Sequence, residues 1–573
     1  MPDVIKTLTK KETQYLMSQT PPPQIIPIPP DFPVHWEKPE DAQLHWIWSG
    51  AVFPKTLRPL EFDLIAKQLY EGLTIAYDYY QYPTIHSSRH INFYLYIADS
   101  HRVSAKSSED TLQLAMDNLG QFWERSWLPE IKQHLNDFES YDLTQASLPQ
   151  LSKYLDEMVK RTTRLWEIHF LVFNALIVVL EQFETLYQDL FGKETQFTAY
   201  QLIAGVDSQS VKVTHELWQL SRQVLDNPQL HQILSDTPAA QVMSQLEETS
   251  VGQTFLMSLN DYIQRYGTQC QAYYLSTPSW REMPIQLIHK LKYYLTQPEK
   301  DLTAEFELVK TQREKAIAEA RSRLVSYPQP IVAKFEHLLQ TAQVANYLRE
   351  EHSHWLDMPI TYHIRQVVLA MGHHLQSTGV IKEIDDIFYL TYEELQKGVH
   401  SPEAFSQSAI ITQQRRETQS HFDNITPPPM LGTIPIEPPP ANPIREATFA
   451  KLLGITQLPP SEQSNILVGH AGSPGIVKGR VRVLTSPEEI DKIVAKDIIL
   501  VTTSTTPDWS SVFAQIVSLV TDRGGVLSHA AVVAREIGIP AVVGTGQATT
   551  VLTDGQLVEV NGNIGQVKIL EEV

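Results

Sequence analysis

The densest run of residues able to do chemistry is Thr521–Gly544, TDRGGVLSHAAVVAREIGIPAVVG. The apolar lead-in Ile516–Thr521 reads as a buried strand that ends at Thr521, and a turn follows through Gly524 and Gly525. Ser528 is an N-cap type, which makes His529 the first residue of a helix that Gly538 stops. Two glycines leave room for close approach to the backbone, and the free N–H groups and positive dipole end of the helix favour an anion there. An imidazole in that place can act as a nucleophile and carry a phosphoryl group. The dipole also disfavours the imidazolium, which leaves a lone pair available. On its own, a histidine after Gly-Gly is equally a structural residue.

Other candidates are weaker. His352 and His354 are two residues apart. On a helix they point roughly 200° apart and cannot grip one ion, so no metal site is expected from them or from His373-His374. His86, Arg89 and His90 read as a surface loop in which Arg89 could meet a phosphate. Cys270 is the one cysteine, which excludes an intramolecular disulfide and a cysteine zinc site; it reads as an inert core thiol in a reducing cytosol.

The elements around these residues fall into two kinds. Of the 24 glycines, 13 lie in the last 123 residues and 11 in the first 450. The Gly-poor body reads as mostly helical over Leu151–Phe191, Val211–Leu225, Met283–Leu295, Leu302–Val325, Pro330–Leu348 and Thr361–Ser377, with Ile91–Ile97 its best strand. The C-terminal module alternates short apolar runs with turns, as a compact α/β domain does. Two proline clusters punctuate the chain. Pro21–Pro33 makes an extended arm, and Pro427–Pro443, with eight prolines in 17 residues, favours a semi-rigid polyproline spacer. The expected domains are therefore an arm (1–35), a helical body (36–425), a Pro-rich linker (426–460) and an α/β module (461–573). A net charge of −20 disfavours nucleic-acid or anionic-membrane partners. Phe170–Leu180 is the most apolar stretch, shorter than the about 20 residues of a membrane-spanning helix, and reads as a buried core helix.

The 24-residue string resembles the phosphohistidine signature of the phosphoenolpyruvate-utilising enzymes, whose mobile swivelling domain carries the phosphoryl group. Gly524, Gly525, Ser528, His529, Ala530, Arg535, Glu536, Gly538, Pro540 and Gly544 stand where that family has them. Gly472-Ser473-Pro474-Gly475 with Gly479, Thr506-Pro507-Asp508-Trp509, Asp554-Gly555 and Gly562 with Gly565 resemble its flanking turns. In the body, Trp166–Phe170, Tyr266-Gly267, Trp280–Pro284, Asp385–Leu390 and the opening Phe32–Ala42 resemble rifampin-phosphotransferase-like and phenylphosphate-synthase-like proteins, although Gln269 replaces an arginine usual in them.

The resemblance implies a multidomain α plus α/β chain in which His529 is catalytic. Thr521, Gly524, Gly525, Ser528 and Arg535 would shape and support its loop. It also implies that Glu350–Asp357 borders the substrate cavity, so that His352, His354 or Asp357 would bind the acceptor or serve as its general base. No ATP-grasp pattern or glycine-rich nucleotide loop is seen in the body, and no phosphoenolpyruvate barrel follows. The expectation is a cytoplasmic, dikinase-like phosphotransferase. ATP and Mg2+ would sit on an ATP-grasp partner in trans, no cofactor would sit on this chain, and the acceptor would be a small organic hydroxyl. The alternatives are a non-catalytic regulatory or binding protein and a protein-to-protein phosphocarrier.

Overall fold

The computed structural model describes residues 24–82, 84–101, 109–192, 196–270, 273–436, 441–454, 465–484, 497–505, 509–513 and 515–570. Residues 506–508 of the threonine–proline turn lie outside the described residues.

The body is organised by two long helices, α1 (Leu148–Phe191) and α2 (Gln329–Ser377). They pack along their length as the centre of the main core, where Leu165, Trp166, Leu176, Leu356, Ile360 and Ile364 are fully buried. An apolar window of α1 is long enough to cross a membrane, and 78% of that window is buried inside the body, so it serves as a core helix. The two helical runs expected over Pro330–Leu348 and Thr361–Ser377 are one continuous helix. Pro359 lies inside it, removing one backbone bond that burial on both sides compensates. Five helices between Gln209 and Leu295 enclose a second, smaller core around Leu259, Leu287 and Leu291.

A five-stranded antiparallel sheet caps the body, in the order Gln24–Ile25, Met430–Ile434, His45–Trp48, Tyr94–His101, Thr84–Ile91. It corrects three expectations. Ile91–Ile97 is two strands, not one: Asn92 and Phe93 take positive φ (51° and 67°) and turn the chain back, as a type I′ hairpin requires. His86, Arg89 and His90 are therefore strand residues rather than a surface loop, and Arg89 is held bidentately by buried Asp41 at 2.9 Å. Met430–Ile434, inside the stretch expected to be a polyproline spacer, is paired on both edges. Gln24–Ile25, inside the expected extended arm, covers one of those edges. The short runs between prolines keep their N–H groups free to join a ladder.

The C-terminal domain is an eight-stranded mixed sheet, ordered Ile466–Val468, Gln566–Ile569, Leu557–Asn561, Ile476–Val483, Ile498–Thr502, Ser518–Thr521, Ala541–Val543, His470–Ser473. Its four central strands, from Ile476–Val483 to Ala541–Val543, run parallel. Alternation along them splits the apolar side chains between two cores. Leu500, Leu519 and Val543 face α3 (His529–Glu536), and Val501, Val520 and Val542 face the other side.

Candidate active site

Helix α3 connects the parallel strands Ser518–Thr521 and Ala541–Val543, so His529 sits beyond the carboxyl end of a central strand, where open α/β sheets place their ligands. Ser528 caps the helix through its Oγ and the Ala531 N–H (3.4 Å). Thr521 is fully buried and its hydroxyl donates to the Arg523 carbonyl (2.8 Å), which closes the turn behind the loop. Gly524 has φ +109°, a conformation that L side chains rarely adopt.

His529 is partly buried beside the Phe513 ring (centroids 5.9 Å apart), and its Nδ1 meets Thr505 Oγ1 at 3.0 Å. That contact leaves Nε2 for reaction. Burial lowers the His529 pKa to about 4; Glu350 opposes the shift and Arg349 adds to it. The imidazole is neutral at physiological pH, and the two residues that act on it stand on α2 of the body. Arg349 donates to Glu350 (3.0 Å), while its Nε is buried with no hydrogen-bond partner. A buried guanidinium donor left unpaired within electrostatic reach of a histidine suits an anion between them. Sequence reading marks Glu350–Asp357 and passes over Arg349. A lone arginine inside a charged helical run carries no signal until the second domain is laid against it.

The histidine loop is docked rather than free. Gly525 N–H donates to Leu452 O (2.8 Å) and Leu527 N–H to Lys451 O (2.7 Å), which straps the loop to the linker. A Cβ on Gly525 would lie 2.4 Å from the Lys451 carbonyl. Val526 and Leu527 are buried in the body's main core. Lys451 pairs with buried Glu184 at 3.1 Å, and Glu184 also takes the Tyr200 hydroxyl. The Arg535 guanidinium lies 4.5 Å from the centre of the Tyr200 ring and donates to the carbonyls of Gly472 and Val526 (2.6 Å each). Arg535 thus braces the loop and the docking face.

The body candidates separate. His354 sits near the Tyr266 and Trp355 rings, with Lys212 within electrostatic reach. It points away from His352, as the helical period requires of residues two apart. Asp357 is 2% exposed; its Oδ1 lies 2.9 Å from His169 Nδ1 and its Oδ2 accepts from Tyr273 (2.9 Å). Burial pushes the Asp357 carboxyl up, but His169, His352 and Tyr273 outweigh it and hold the group below its ordinary value. His352 donates from Nδ1 to Leu348 O (2.6 Å), and burial lowers its pKa to about 4. Cys270 is buried with its Sγ 3.7 Å from Met358 Sδ, an inert setting. Among the described residues no group of three or more His, Cys, Asp or Glu is placed to hold a metal ion.

Comparison with known proteins agrees with this geometry. Residues 494–565 match the mobile domain of the PEP-utilising enzymes, and residues 168–350 match the rifampicin phosphotransferase fourth domain. The chain is 34% identical over 562 residues to a chondramide synthase of Chondromyces crocatus, covering 95% of this chain and 14% of that protein. It is 29% identical over 347 residues to a rifampicin phosphotransferase of Streptomyces sviceus, covering 60% of this chain and 38% of that one. It is 49% identical over 114 residues to a phosphoenolpyruvate synthase of Aeropyrum pernix, covering 19% of this chain and 14% of that one. The chain spans well under half the length of each of these relatives. The histidine loop thus lies inside a segment that matches the mobile domain of the PEP-utilising enzymes, and part of the body matches the rifampicin phosphotransferase fourth domain.

Proposed function

We propose that this protein is a phosphotransferase in which Nε2 of His529 accepts a phosphoryl group and passes it to the hydroxyl of a small organic acceptor bound by the helical body. The observation that carries this reading is the buried, unpaired Nε of Arg349 on α2, together with the action of Arg349 and Glu350 on His529. Thr505 orients the imidazole, the helix N-terminus and Arg349 stabilise the phosphoryl oxygens, and burial keeps the nitrogen deprotonated. Relatives named rifampicin phosphotransferase support a phosphotransfer to an organic molecule. The donor in this reading is ATP with Mg2+ on a separate ATP-grasp protein, and the setting is the cytosol.

The test mixes the full chain with radiolabelled ATP and candidate ATP-grasp proteins encoded beside it. An acid-labile, base-stable phosphate on His529 is expected. Label that persists in His529→Ala, or no label with any partner, would overturn the reading.

A further inference from the structure

We propose that His169 and Asp357 form a general-base dyad that takes the proton from the acceptor's hydroxyl, in an aromatic-walled pocket between α1 and α2. The inference rests on the phosphotransfer reading and adds to it a catalytic pair and a class of acceptor.

Asp357 Oδ2 accepts from the Tyr273 hydroxyl at 2.9 Å, and its Oδ1 stands 2.9 Å from His169 Nδ1, a close ion-pair contact that is out of line for a hydrogen bond in this structure. A carboxylate that close to Nδ1 electrostatically favours the tautomer with its hydrogen there, which leaves the His169 lone pair on Nε2. The pair is deeply buried, His169 at 8% and Asp357 at 2% exposure. Beside it stands His352, its ring centre 4.7 Å from that of His169. The Leu348 carbonyl takes its Nδ1 hydrogen, which puts its lone pair on Nε2, and that atom is buried without a partner. A histidine kept only for packing has its second nitrogen satisfied. An orphaned acceptor next to a His–Asp pair points to a ligand that brings a hydrogen-bond donor. The rings of Trp166, Phe170, Phe173 and Tyr273 surround these nitrogens. Such walls with imidazole lone pairs select an uncharged phenol or alcohol on an apolar scaffold.

Asp357 and His352 share α2 with the two residues that act on His529. On α2, Arg349 and Glu350 act electrostatically on His529, His352 follows within a turn, and Asp357 lies about 10 Å further along the axis from Glu350. Glu350 acts on His529 and on His352, and His352 in turn on Asp357. In the transfer, the acceptor oxygen attacks phosphorus on His529 Nε2. The O–P bond forms as the N–P bond breaks, and that bond pair returns to the His529 imidazole. The hydroxyl proton passes to His169 Nε2, and the resulting imidazolium is stabilised by the Asp357 carboxylate.

The test uses the full chain charged on His529 by phosphoramidate, a small N–P donor that needs no partner protein. Discharge is followed by 31P NMR, first to water and then to added phenol. His169→Gln and Asp357→Asn are expected to charge like the wild type. Their discharge should be on the order of 100-fold slower and should lose the solvent deuterium isotope effect of the wild type. Discharge at the wild-type rate, or a slowed rate with the isotope effect intact, would overturn the dyad. Failure of the wild type to charge would count against the phosphotransfer reading instead. In that event a low-field Nδ1 proton on His169, present in the wild type and lost in Asp357→Asn, supports the pair, and its absence overturns it.

Discussion

Thr505 Oγ1 lies 3.0 Å from His529 Nδ1, so the segment after one parallel strand orients an imidazole carried beyond the end of the next. Thr505 is 8% exposed, and the bond is shielded from competing water. Thr505→Val keeps the shape and removes the partner. His529 is expected to charge with phosphoramidate on the order of 10-fold more slowly at an unchanged melting temperature, read by 31P NMR. An equal rate would show that Phe513 and the helix alone set the ring.

Arg349, on α2 of the body, acts electrostatically on His529 of the C-terminal domain. Arg349→Met is expected to leave charging of His529 intact and to slow its discharge on the order of 100-fold, the usual cost of one electrostatic donor at a transferring group. Arg349→Lys should restore only part of the loss, because an ammonium cannot reproduce the guanidinium fork. Single-turnover release of phosphate from the charged chain separates the two steps.

Docking itself depends on Lys451 and Gly525. Lys451→Met leaves Glu184 buried without its cation, which costs about 3–5 kcal/mol when a buried pair is broken. Gly525→Ala drives a Cβ into the Lys451 carbonyl. Both variants are expected to release the C-terminal domain from the body. Small-angle scattering would show a larger radius of gyration, and proteolysis near residues 441–454 would quicken. Unchanged scattering in both would mean that Arg535 on Tyr200 and the buried Val526 and Leu527 hold the face by themselves.

Buried neutral histidines set an acid limit on stability. Burial lowers His352 and His363 from the usual 6.5 to about 4 in the folded chain. Above pH 6.5 neither state binds the proton and stability is full. Between pH 6.5 and about 4 the unfolded chain binds protons that the folded chain refuses, so stability falls as pH falls. Each group contributes on the order of 1–3 kcal/mol across that window. Thermal melts are expected to be flat from pH 7 to 8 and to drop steadily below 6.5, with a shallower drop in His352→Asn.

The histidine loop was legible in the sequence because its determinants are local. A strand end, two glycines, a capping Ser528 and a helix stopped at Gly538 prescribe one short strand–turn–helix unit, and they place His529 at its N-terminus. The two-kind architecture was legible for a similar reason, since glycine usage and apolar periodicity change where the helical body gives way to the α/β domain. The hairpin turn at Asn92-Phe93 was hidden inside a continuous apolar run, where periodicity does not register a reversal of the chain. The strand Met430–Ile434 was hidden by its prolines, because its pairing partners lie hundreds of residues away. The same distance conceals the chemistry of the body. Asp357 and His352 could be singled out as types, but His169 is nearly two hundred residues upstream, on α1, and only the packing of α1 on α2 brings its imidazole to the carboxylate. Arg349 likewise acquires a role only when the histidine domain docks on α2. Sequence by itself determined where His529 sits and the two kinds of domain, since these follow from short-range backbone preference and composition. Tertiary structure decided what faces His529, because those contacts join segments that only burial of the shared core holds together.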